Sequence, residues 1–408
     1  MGSNVGSRPA TPGRASDAGR SPAAVPGGGP AIRILAWPAR HAKNPYIPLL
    51  YDGLRKLGAE VTTFSPLSVL RTAADVWHIH WPDQLLNRMS LPQALARVGV
   101  MVVLLRVARL RGLRLVWTVH NLGTHEAYHP RLERWFWGVF TAALDGFIAL
   151  TPGGKAAAEA RFPALAQAMG FVVPHGHYRG CYPDSVTRSQ ARAALGLPQG
   201  GRVIACVGHL RAYKNVPSLI EAFRQLPDSD ARLIIAGEPT PLSMGDAIER
   251  AAQPDSRVRP VLGFVAPDRV QLYLRSADLV VLPYRELLNS GGALLALSFG
   301  CPVLVSRRGA MEELALLAGS DWVRTYSGEL TPATLADGLD WAVRTPRGEQ
   351  CDTIAALNWP EVAQCTLEAL STICACGESK KHDPHGSGDY HRGDRLHVGT
   401  GPGRTRSH

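Results

Sequence analysis

The sequence is poor in lysine through its middle, since Lys214 is the only lysine between Lys155 and Lys380. The seven cysteines are scattered and odd in number, which excludes a disulfide framework and fits a reducing cytoplasm. No glycine-rich Walker loop is present, so ATP hydrolysis is not indicated. The N-terminus lacks an apolar signal core, and the longest apolar run, 98–105, is far shorter than the roughly 20 residues of a membrane span. A cytoplasmic protein, soluble or peripheral to the membrane, is therefore expected.

The net charge of +10 is unevenly distributed along the chain. Residues 31–180 hold 17 Lys/Arg against 8 Asp/Glu, whereas residues 181–376 hold 18 against 21. A basic first half predicts an anionic surface or acceptor, and no nucleic-acid recognition motif accompanies it. Residues 93–117 interleave arginines with apolar residues, and the aromatic residues Trp135, Trp137 and Phe140 follow. This pattern is typical either of a helix that lies in the membrane interface or of a core helix whose arginines face the solvent. We expect peripheral contact with an anionic membrane and no nucleic-acid partner.

The order of segments predicts an α/β fold. Residues 1–30 and 377–408 are rich in glycine, proline and polar residues and are predicted to be disordered tails. Between them, short runs of branched and aromatic residues alternate with helical patterns, first in "AIRILAW", "AEVTTFS", "DVWHIHW", "RLVWTVHN" and "DGFIALT", then in "GRVIACVGH", "ARLIIAGEP", "ADLVVLPYR" and "CPVLVSRRG". This repetition predicts two doubly wound Rossmann-like domains, 31–175 and 176–376, with a ligand in the cleft between them.

Three loops of the second predicted domain favour an anionic ligand. Gly208, Arg211, Lys214 and Asn215 lie where a strand passes into a helix, so a guanidinium, an ammonium and free amides can meet a phosphate; two solvated loop cations are the alternative. Two further loops contribute glycines and polar groups: Gly237 and Glu238 in "AGEP", and Ser290, Gly291 and Gly292 at a helix start. Val265 in "GFVAPDRV" adds a backbone contact, unless that segment merely turns. Glu238 would accept from a ribose or base, unless "AGEP" is a simple turn. Asp228-Ser229-Asp230 has the D-x-D spacing of a metal site, but its position between a helix and a strand favours a turn.

The first predicted domain concentrates histidine, carboxylate and aromatic residues after its strands. Asn44 and Tyr46 follow the first strand, His80, Trp81 and Asp83 follow "DVWHI", and His120, His125 and Glu126 follow "RLVWTV". Since the carboxyl ends of parallel strands share one edge of a sheet, these side chains are expected at the cleft. His175, His177 and Tyr178 in "HGHYRG" lie at the domain junction, where they meet the ligand or pack as a linker.

The ordered chain resembles the GT-B glycosyltransferases, and more narrowly the family of β-1,4-mannosyltransferases of xanthan assembly. The resemblance is carried by "NPYIPLLYDGL", "DVWHIHWPDQLL", "TVHNLGTHE", "HGHYRG", "GHLRAYKNV" and "VVLPYRELLNSGGALLALSFGCPVL", in order across residues 31–370. Retaining members of the wider group usually carry two glutamates at the positions of Leu288 and Leu295, so their absence fits an inverting enzyme. The resemblance implies transfer of mannose from GDP-mannose to a glycan on a polyprenyl diphosphate, without a metal or other cofactor.

An inverting transfer needs a base that deprotonates the acceptor hydroxyl. It also needs cations or amides that stabilise the charge on the departing diphosphate. Asp83, His120 and Glu126 are the candidate bases, with Asn44, Tyr46, His80, Trp81 and His125 as acceptor contacts. Histidine has a suitable ordinary pKa, whereas a carboxylate would need its pKa raised by burial. Three alternatives remain: a UDP- or dTDP-sugar transferase with a soluble acceptor, a scaffold subunit that binds a nucleotide-sugar without turnover, and a two-domain sugar-binding protein.

Overall fold

The computed structural model describes residues 31–40, 44–87, 90–124, 128–286, 288–289 and 291–382, with side chains as far as 376. The predicted tail 1–30 and most of 377–408 lie outside these ranges. The described residues from Ile32 onward pack as one compact unit. Within it are two six-stranded sheets, and the strands of both pair in parallel.

The first sheet has the strand order β2-β1-β3-β4-β5-β6. Its strands are β1 (Arg33–Trp37), β2 (Glu60–Thr63), β3 (Val76–Ile79), β4 (Arg114–Val119), β5 (Gly146–Ala149) and β6 (Met169–Val172). Its helices are α1 (Tyr46–Lys56), α2 (Pro66–Arg71), α3 (Leu91–Leu110), α4 (Pro130–Ala143) and α5 (Pro152–Arg161). The four residues of β3 and of β5 are all buried, as expected for strands covered by helices on both faces.

The second sheet has the strand order β12-β11-β10-β7-β8-β9. Its strands are β7 (Val203–Val207), β8 (Arg232–Gly237), β9 (Val258–Leu262), β10 (Leu279–Leu282), β11 (Val303–Ser306) and β12 (Val323–Tyr326). The helices that follow the first domain are α6 (Arg188–Ala194), α7 (Val216–Arg224), α8 (Leu242–Ala252), α9 (Pro267–Ser276), α10 (Gly291–Ser298), α11 (Ala310–Ala318), α12 (Pro332–Arg344) and α13 (Trp359–His382). The architecture is the predicted pair of Rossmann-like layers.

The last helix differs from the prediction in two ways. α13 packs against α1, and Trp359, Ala363, Leu370 and Ile373 join the core of the first domain rather than that of the second. The chain therefore returns to the first domain after 358, although 176–376 was predicted to be the second. The same helix continues to His382, past the predicted start of the tail at 377, because its apolar residues are held against the first domain.

The structure corrects part of the predicted membrane surface. Trp137 and Phe140 are buried in the core of the first domain beside Trp117, whereas Trp135 is about half exposed. Helix α3 is, by length and composition, the one helix of the described chain that is apolar enough to cross a membrane. Its buried face, which includes Val98, packs within the first-domain core, so α3 forms part of the layer that covers the sheet.

Hydrogen bonds at two places join the domains directly. The Asn289 side chain, which precedes α10, donates from Nδ2 to the carbonyl oxygens of Val119 and His120 at 3.3 and 3.2 Å. The Gly153 amide in the first turn of α5 donates to Glu313 Oε1 of α11 at 2.7 Å. The bonds from Asn289 place the end of β4 beside the start of α10, and the bond from Gly153 joins α5 to α11.

Candidate active site

The loop after β7 and the loop after β8 lie against each other. Gly208 has a φ of +120°, a backbone conformation that favours glycine. A Cβ added to Gly237 would lie 1.8 Å from the Gly208 carbonyl oxygen, so no larger residue fits there. Gly237 therefore allows the close backbone approach that the sequence predicted for "AGEP", and it places Glu238 beside His209, whose Nδ1 lies 3.8 Å from Glu238 Oε2.

Lys214 is partly exposed, yet protein atoms surround its ammonium closely. Nζ lies 5.2 Å from the centre of the Tyr284 ring, and a Cβ on Gly208 would lie 3.5 Å from it. Burial lowers the pKa of Lys214 to about 8, and the positive charge of Arg211 acts in the same direction. No salt bridge to Lys214 is found among the described residues. A buried ammonium whose pKa is lowered further by a second cation forms a site that an anion would stabilise.

The start of α7 completes this loop. Asn215 is buried and adopts the left-handed conformation, with a φ of 53°, which asparagine tolerates better than most residues. Its Oδ1 accepts a hydrogen bond from Ser218 Oγ at 2.7 Å, which fixes the chain where it enters the helix. Arg211 and Lys214 are thereby held just before the N-terminus of α7, as the sequence predicted.

A cavity of about 340 Å³ opens between the domains next to this loop. From the second domain it is lined by Gly208, Gly237, Glu238 and Val265, four of the residues predicted to contact the donor. The first domain contributes Pro45 and Pro48, and the segment between the sheets contributes Cys181 and Tyr182. Leu295, one of the two leucines at the usual glutamate positions, also lines it. The other, Leu288, instead packs against the first-domain core, so neither position supplies an acid to the cleft.

The start of α10 meets the domain junction through its glycines. A Cβ on Gly291 would lie 3.2 Å from Tyr178 Oη and 3.5 Å from His175 Nε2, and one on Gly292 would lie 3.2 Å from Tyr284 Oη. The third predicted residue of this loop, Ser290, lies outside the described residues. Glycine at 291 and 292 therefore lets the helix start approach two buried tyrosines.

The junction residues are packed between elements of both domains. His175 contacts the Tyr46 ring at 4.9 Å and hydrogen-bonds Tyr178 Oη at 3.4 Å. The Tyr178 amide donates to Ser298 Oγ of α10, and the His177 carbonyl accepts from Trp359 Nε1 at 2.7 Å. "HGHYRG" is thus a linker that touches the cleft at His175 and Tyr178, while His177 is held by the start of α13.

A chain of buried hydrogen bonds runs through the first domain to the cleft. Thr118 Oγ1 lies 2.7 Å from His78 Nε2, and His78 Nδ1 lies 3.2 Å from Tyr51 Oη. Tyr51 Oη lies 3.0 Å from His80 Nε2, and His80 Nδ1 lies 3.0 Å from His120 Nε2. Burial lowers the pKa of His78 to about 3 and lowers the pKa of His80 and of His120 well below the ordinary range. The three rings are therefore neutral near pH 7.

The neutrality of these rings ties their tautomers together. Each neutral imidazole has one N–H and one lone pair, so a ring that accepts on one nitrogen donates from the other. The chain therefore has two ordered states, one with donors directed toward His120 and one directed away from it. At the cleft end, Trp81 stacks on His120 at 4.4 Å and Tyr46 meets its edge at 5.0 Å. Residues that do not touch His120 itself, Thr118 and Tyr51 among them, thus help to set which nitrogen of His120 carries the proton.

Asp83 is the carboxylate that the structure places at this edge. It lies in a short 3-10 helix, Pro82–Leu85, directly after Trp81, and is only 4% exposed. Burial raises the pKa of Asp83 to about 6, against the lowering effects of Arg211 and of a hydrogen bond with Asn121. The condition that sequence analysis set for a carboxylate base, a pKa raised by burial, is met here. Glu126 and His125, the other residues predicted for this loop, lie outside the described residues.

Several residues of the site escaped prediction. Tyr51 and Thr118 are held by partners 29 and 40 positions away in the sequence, and Asn289 reaches across 169 positions to His120. Glu133 also escaped: it accepts from the Thr124 amide at 2.7 Å and so holds the loop after β4. Asn44 Oδ1, which was predicted to meet the acceptor, accepts from the Tyr46 amide at 3.0 Å, just before α1 begins.

The described residues include no group of three His, Cys, Asp or Glu side chains placed to hold a metal ion. Asp228 and Asp230 form a turn, with Asp228 Oδ1 accepting from the Asp230 amide at 3.0 Å and its carboxylate paired with Arg202. This is the role in a helix-to-strand turn that the sequence favoured over a metal role.

Comparison of the sequence and of the structure with known proteins gives matches to glycosyltransferases. A profile of the glycosyl transferases group 1 matches residues 201–340. The GDP-mannose:glycolipid 4-beta-D-mannosyltransferase of Xanthomonas campestris pv. campestris is 32% identical over 334 residues, covering 80% of this chain and 89% of that enzyme. Among solved structures, sucrose-phosphate synthase from Thermosynechococcus elongatus matches with a TM-score of 0.60 at 18% identity, covering 80% of this chain and 78% of its own. Anabaena HepE, in complex with UDP and glucose, matches with a TM-score of 0.59 at 16% identity, covering 84% and 100%.

Two parallel Rossmann-like sheets on either side of a cleft define the GT-B fold. The chain belongs to the glycosyltransferase family of the Xanthomonas GDP-mannose:glycolipid 4-beta-D-mannosyltransferase, and it is a hexosyltransferase.

Proposed function

We propose that the protein transfers mannose from GDP-mannose, with inversion, to a glycan or lipid-linked oligosaccharide in polysaccharide biosynthesis, without a metal ion. The donor and the glycolipid acceptor follow the printed name of the Xanthomonas relative, which the chain covers over 89% of its length. Inversion is supported by Leu288 and Leu295, which stand where retaining relatives usually carry glutamates. The enzyme would act in the cytoplasm at the inner face of the membrane, where its basic first half meets anionic lipid.

The observation that carries this proposal is the burial of Asp83 at the carboxyl edge of the first sheet, where burial raises its pKa to about 6 and the positive charge of Arg211 in the second domain acts to lower it. A base with a pKa near 6 is mostly ionised at neutral pH and still basic enough to take a proton from an attacking hydroxyl. Arg211 belongs to the loop that holds Lys214, where the diphosphate is expected. The proposed base and the proposed phosphate-binding loop therefore belong to different domains, and the charge of Arg211 acts on the base.

In this mechanism Asp83 accepts the proton of the acceptor hydroxyl as its oxygen bonds to the anomeric carbon of mannose. The bond from that carbon to the diphosphate oxygen breaks on the opposite side, and its electron pair leaves with the GDP. Lys214, Arg211 and the amides at the start of α10 stabilise the charge that develops on the leaving group. His120, stacked on Trp81, helps to position the acceptor. Closure of the cleft excludes water, which would otherwise compete as the nucleophile.

A donor panel tests the proposal. The full-length protein is incubated with GDP-mannose, UDP-glucose, UDP-N-acetylglucosamine and UDP-glucuronate, with and without a glycolipid extract, and release of nucleoside diphosphate is followed with and without EDTA. We expect release of GDP that depends on the extract and survives EDTA. Release from a UDP-sugar alone would replace mannose by another sugar, and loss with EDTA would contradict the metal-free mechanism. Binding of nucleotide without release from any donor would favour a scaffold subunit.

A further inference from the structure

An apolar groove lies on the first domain between α2 and α3, outside the nucleotide cavity. It encloses about 280 Å³, and Arg97 is the only charged residue among those that line it. Trp37 and Phe64 form one side, with ring centres 5.4 Å apart, and Val100, Met101 and Leu104 of α3 contribute to the lining. An opening lined almost wholly by carbon atoms costs free energy in water, so an apolar ligand would bind there favourably.

The groove adjoins the candidate active site. Leu85 lines the groove and belongs to the same 3-10 helix as Asp83, two residues away. Trp37 is the last residue of β1 and pairs with Ile79, the residue before His80. The groove therefore begins at the carboxyl edge of the first sheet, where the predicted acceptor contacts lie.

The charge around the groove has one sign. Helices α2 and α3 contain no aspartate or glutamate, whereas Arg71, Arg97, Arg106 and Arg109 are part of them. Arg97 lines the groove itself. An amphiphile with an apolar chain and an anionic head group matches both features, because the chain would fill the groove while the guanidinium meets the anion.

We propose that this groove binds the apolar chain of the lipid-linked acceptor, with Arg97 meeting its phosphate and the glycan directed toward Asp83. The inference rests on the proposed function, since it assumes an acceptor that carries a lipid. The chain, rather than the surface of a bilayer, is the occupant because the site is concave and adjoins the acceptor residues. A bilayer would instead contact the outward side chains of α3, such as Val103, which is 56% exposed and does not line the groove.

Binding of ω-bromododecyl phosphate, kept below its micelle concentration, tests the site without membranes. Bromine quenches the fluorescence of nearby tryptophan, and Trp37 lines the groove, so saturable quenching is expected. Val100→Asp places a carboxylate in the groove and should weaken binding about tenfold or more. Val103→Asp is the matched control, since Val100 and Val103 are 53% and 56% exposed on the same helix, and it should leave binding unchanged. Ala96→Trp fills the groove without adding charge and should also block binding.

Each contrary result has a definite meaning. Equal weakening by Val100→Asp and Val103→Asp would place the chain on the open face of α3 and overturn the groove assignment in favour of bilayer contact. Undiminished quenching in Trp37→Phe would place the ligand elsewhere. Circular dichroism of the variants separates loss of binding from loss of folding. The probe assay measures binding without turnover. If the groove binds the probe but the protein releases no GDP in the donor panel, the lipid site is supported and the proposed function is contradicted.

Discussion

The positive charge of Arg211 in the second domain acts on the buried carboxyl group of Asp83 in the first domain and opposes the effect of burial on its pKa. Burial raises the pKa of Asp83 to about 6, and the arginine keeps it from rising further. The charge of Arg211 thus couples the proposed base to the loop that we propose holds the leaving group. A change in the separation of the two domains would alter both the basicity of Asp83 and the position of Arg211.

The pH dependence of kcat/KM should therefore have an acid limb. Asp83 must be ionised to accept a proton, so kcat/KM should rise with pH through about 6 and level off above it. Asp83→Asn should lower kcat by roughly 100-fold or more. Asp184→Asn, which breaks an aspartate–arginine pair with Arg275 elsewhere in the second domain, is the matched control and should retain activity. An acid limb that persists in the residual activity of Asp83→Asn would assign the base to another residue.

Titration of Lys214 should produce an alkaline limb in the pH dependence of kcat/KM. The ammonium must be protonated to hold the diphosphate, and its pKa is lowered to about 8, so kcat/KM should fall as pH rises through about 8 in the free enzyme. Lys214→Ala should lower turnover about 100-fold or more, as loss of one transition-state donor does. Lys214→Arg should be less active than the natural protein but should lose the alkaline limb, because arginine stays protonated. Unchanged turnover in Lys214→Ala would overturn its assignment as a phosphate contact.

The central strands of both sheets were predictable from the sequence, whereas three edge strands were not. β6, β9 and β12 each lie at the edge of a sheet, and each has positions that are exposed or only partly buried; in Val258–Leu262 exposed positions alternate with buried or half-buried ones. The sequences of β9 and β12, "VRPVL" and "VRTY", lack the continuous apolar run that marks a strand covered on both faces, whereas the apolar "MGFV" of β6 lies next to the segment assigned to the domain junction. The helix that closes the fold, α13, could be predicted as a helix but not assigned to the first domain, because its partners lie some 300 residues earlier in the chain.

The candidate site was likewise only partly predictable from the sequence. The loop 208–215 could be predicted because its chemistry lies within eight residues, and the structure holds these residues together at the start of α7. Selection of Asp83 from three candidate bases needed burial, which no local pattern reports. The partners of Tyr51 and of Asn289 are set by the packing of strands and domains, so a single sequence contains no signal for them.

Tyr51→Phe tests the buried hydrogen-bonded chain with the loss of a single oxygen. The variant separates His78 from His80, so the proton arrangement of His120 is no longer coupled to Thr118. We expect kcat to fall about fivefold to tenfold, the effect of one buried hydrogen bond, with KM for the donor unchanged. Thr118→Val should act in the same direction, and nitrogen-15 NMR of labelled histidines should show a changed tautomer population.

Tyr273→Phe is the matched control for this change, since Tyr273 is also buried but lies in α9 of the second domain. Equal losses of kcat in Tyr51→Phe and Tyr273→Phe would show that the effect is one of general packing. An unaltered tautomer population would likewise exclude coupling through the chain.

Asn289 should matter for closure of the two domains. Its Nδ2 group donates to the carbonyl oxygens of Val119 and His120, which no aspartate side chain can do when ionised. Asn289→Asp should therefore lower kcat more than Asn289→Ala, because a carboxylate would be placed against two carbonyl oxygens. Small-angle scattering with GDP bound should show a wider separation of the domains in the aspartate variant. Identical scattering curves for the natural protein and both variants would remove Asn289 from the closing contact.

Stability should fall in mild acid because several histidines are held neutral. The pKa of His78 is lowered to about 3 and that of His175 to about 4, both mainly by burial, whereas the unfolded chain binds these protons near pH 6.5. Between those values the unfolded state carries more protons, so the free energy of unfolding should decrease as pH falls below about 6.5, by about 1.4 kcal/mol per pH unit for each such histidine. Urea unfolding at a series of pH values measures the slope. His78→Gln should make that slope shallower by the share of one histidine, and a slope equal to that of the natural protein would show that His78 is protonated in the folded state.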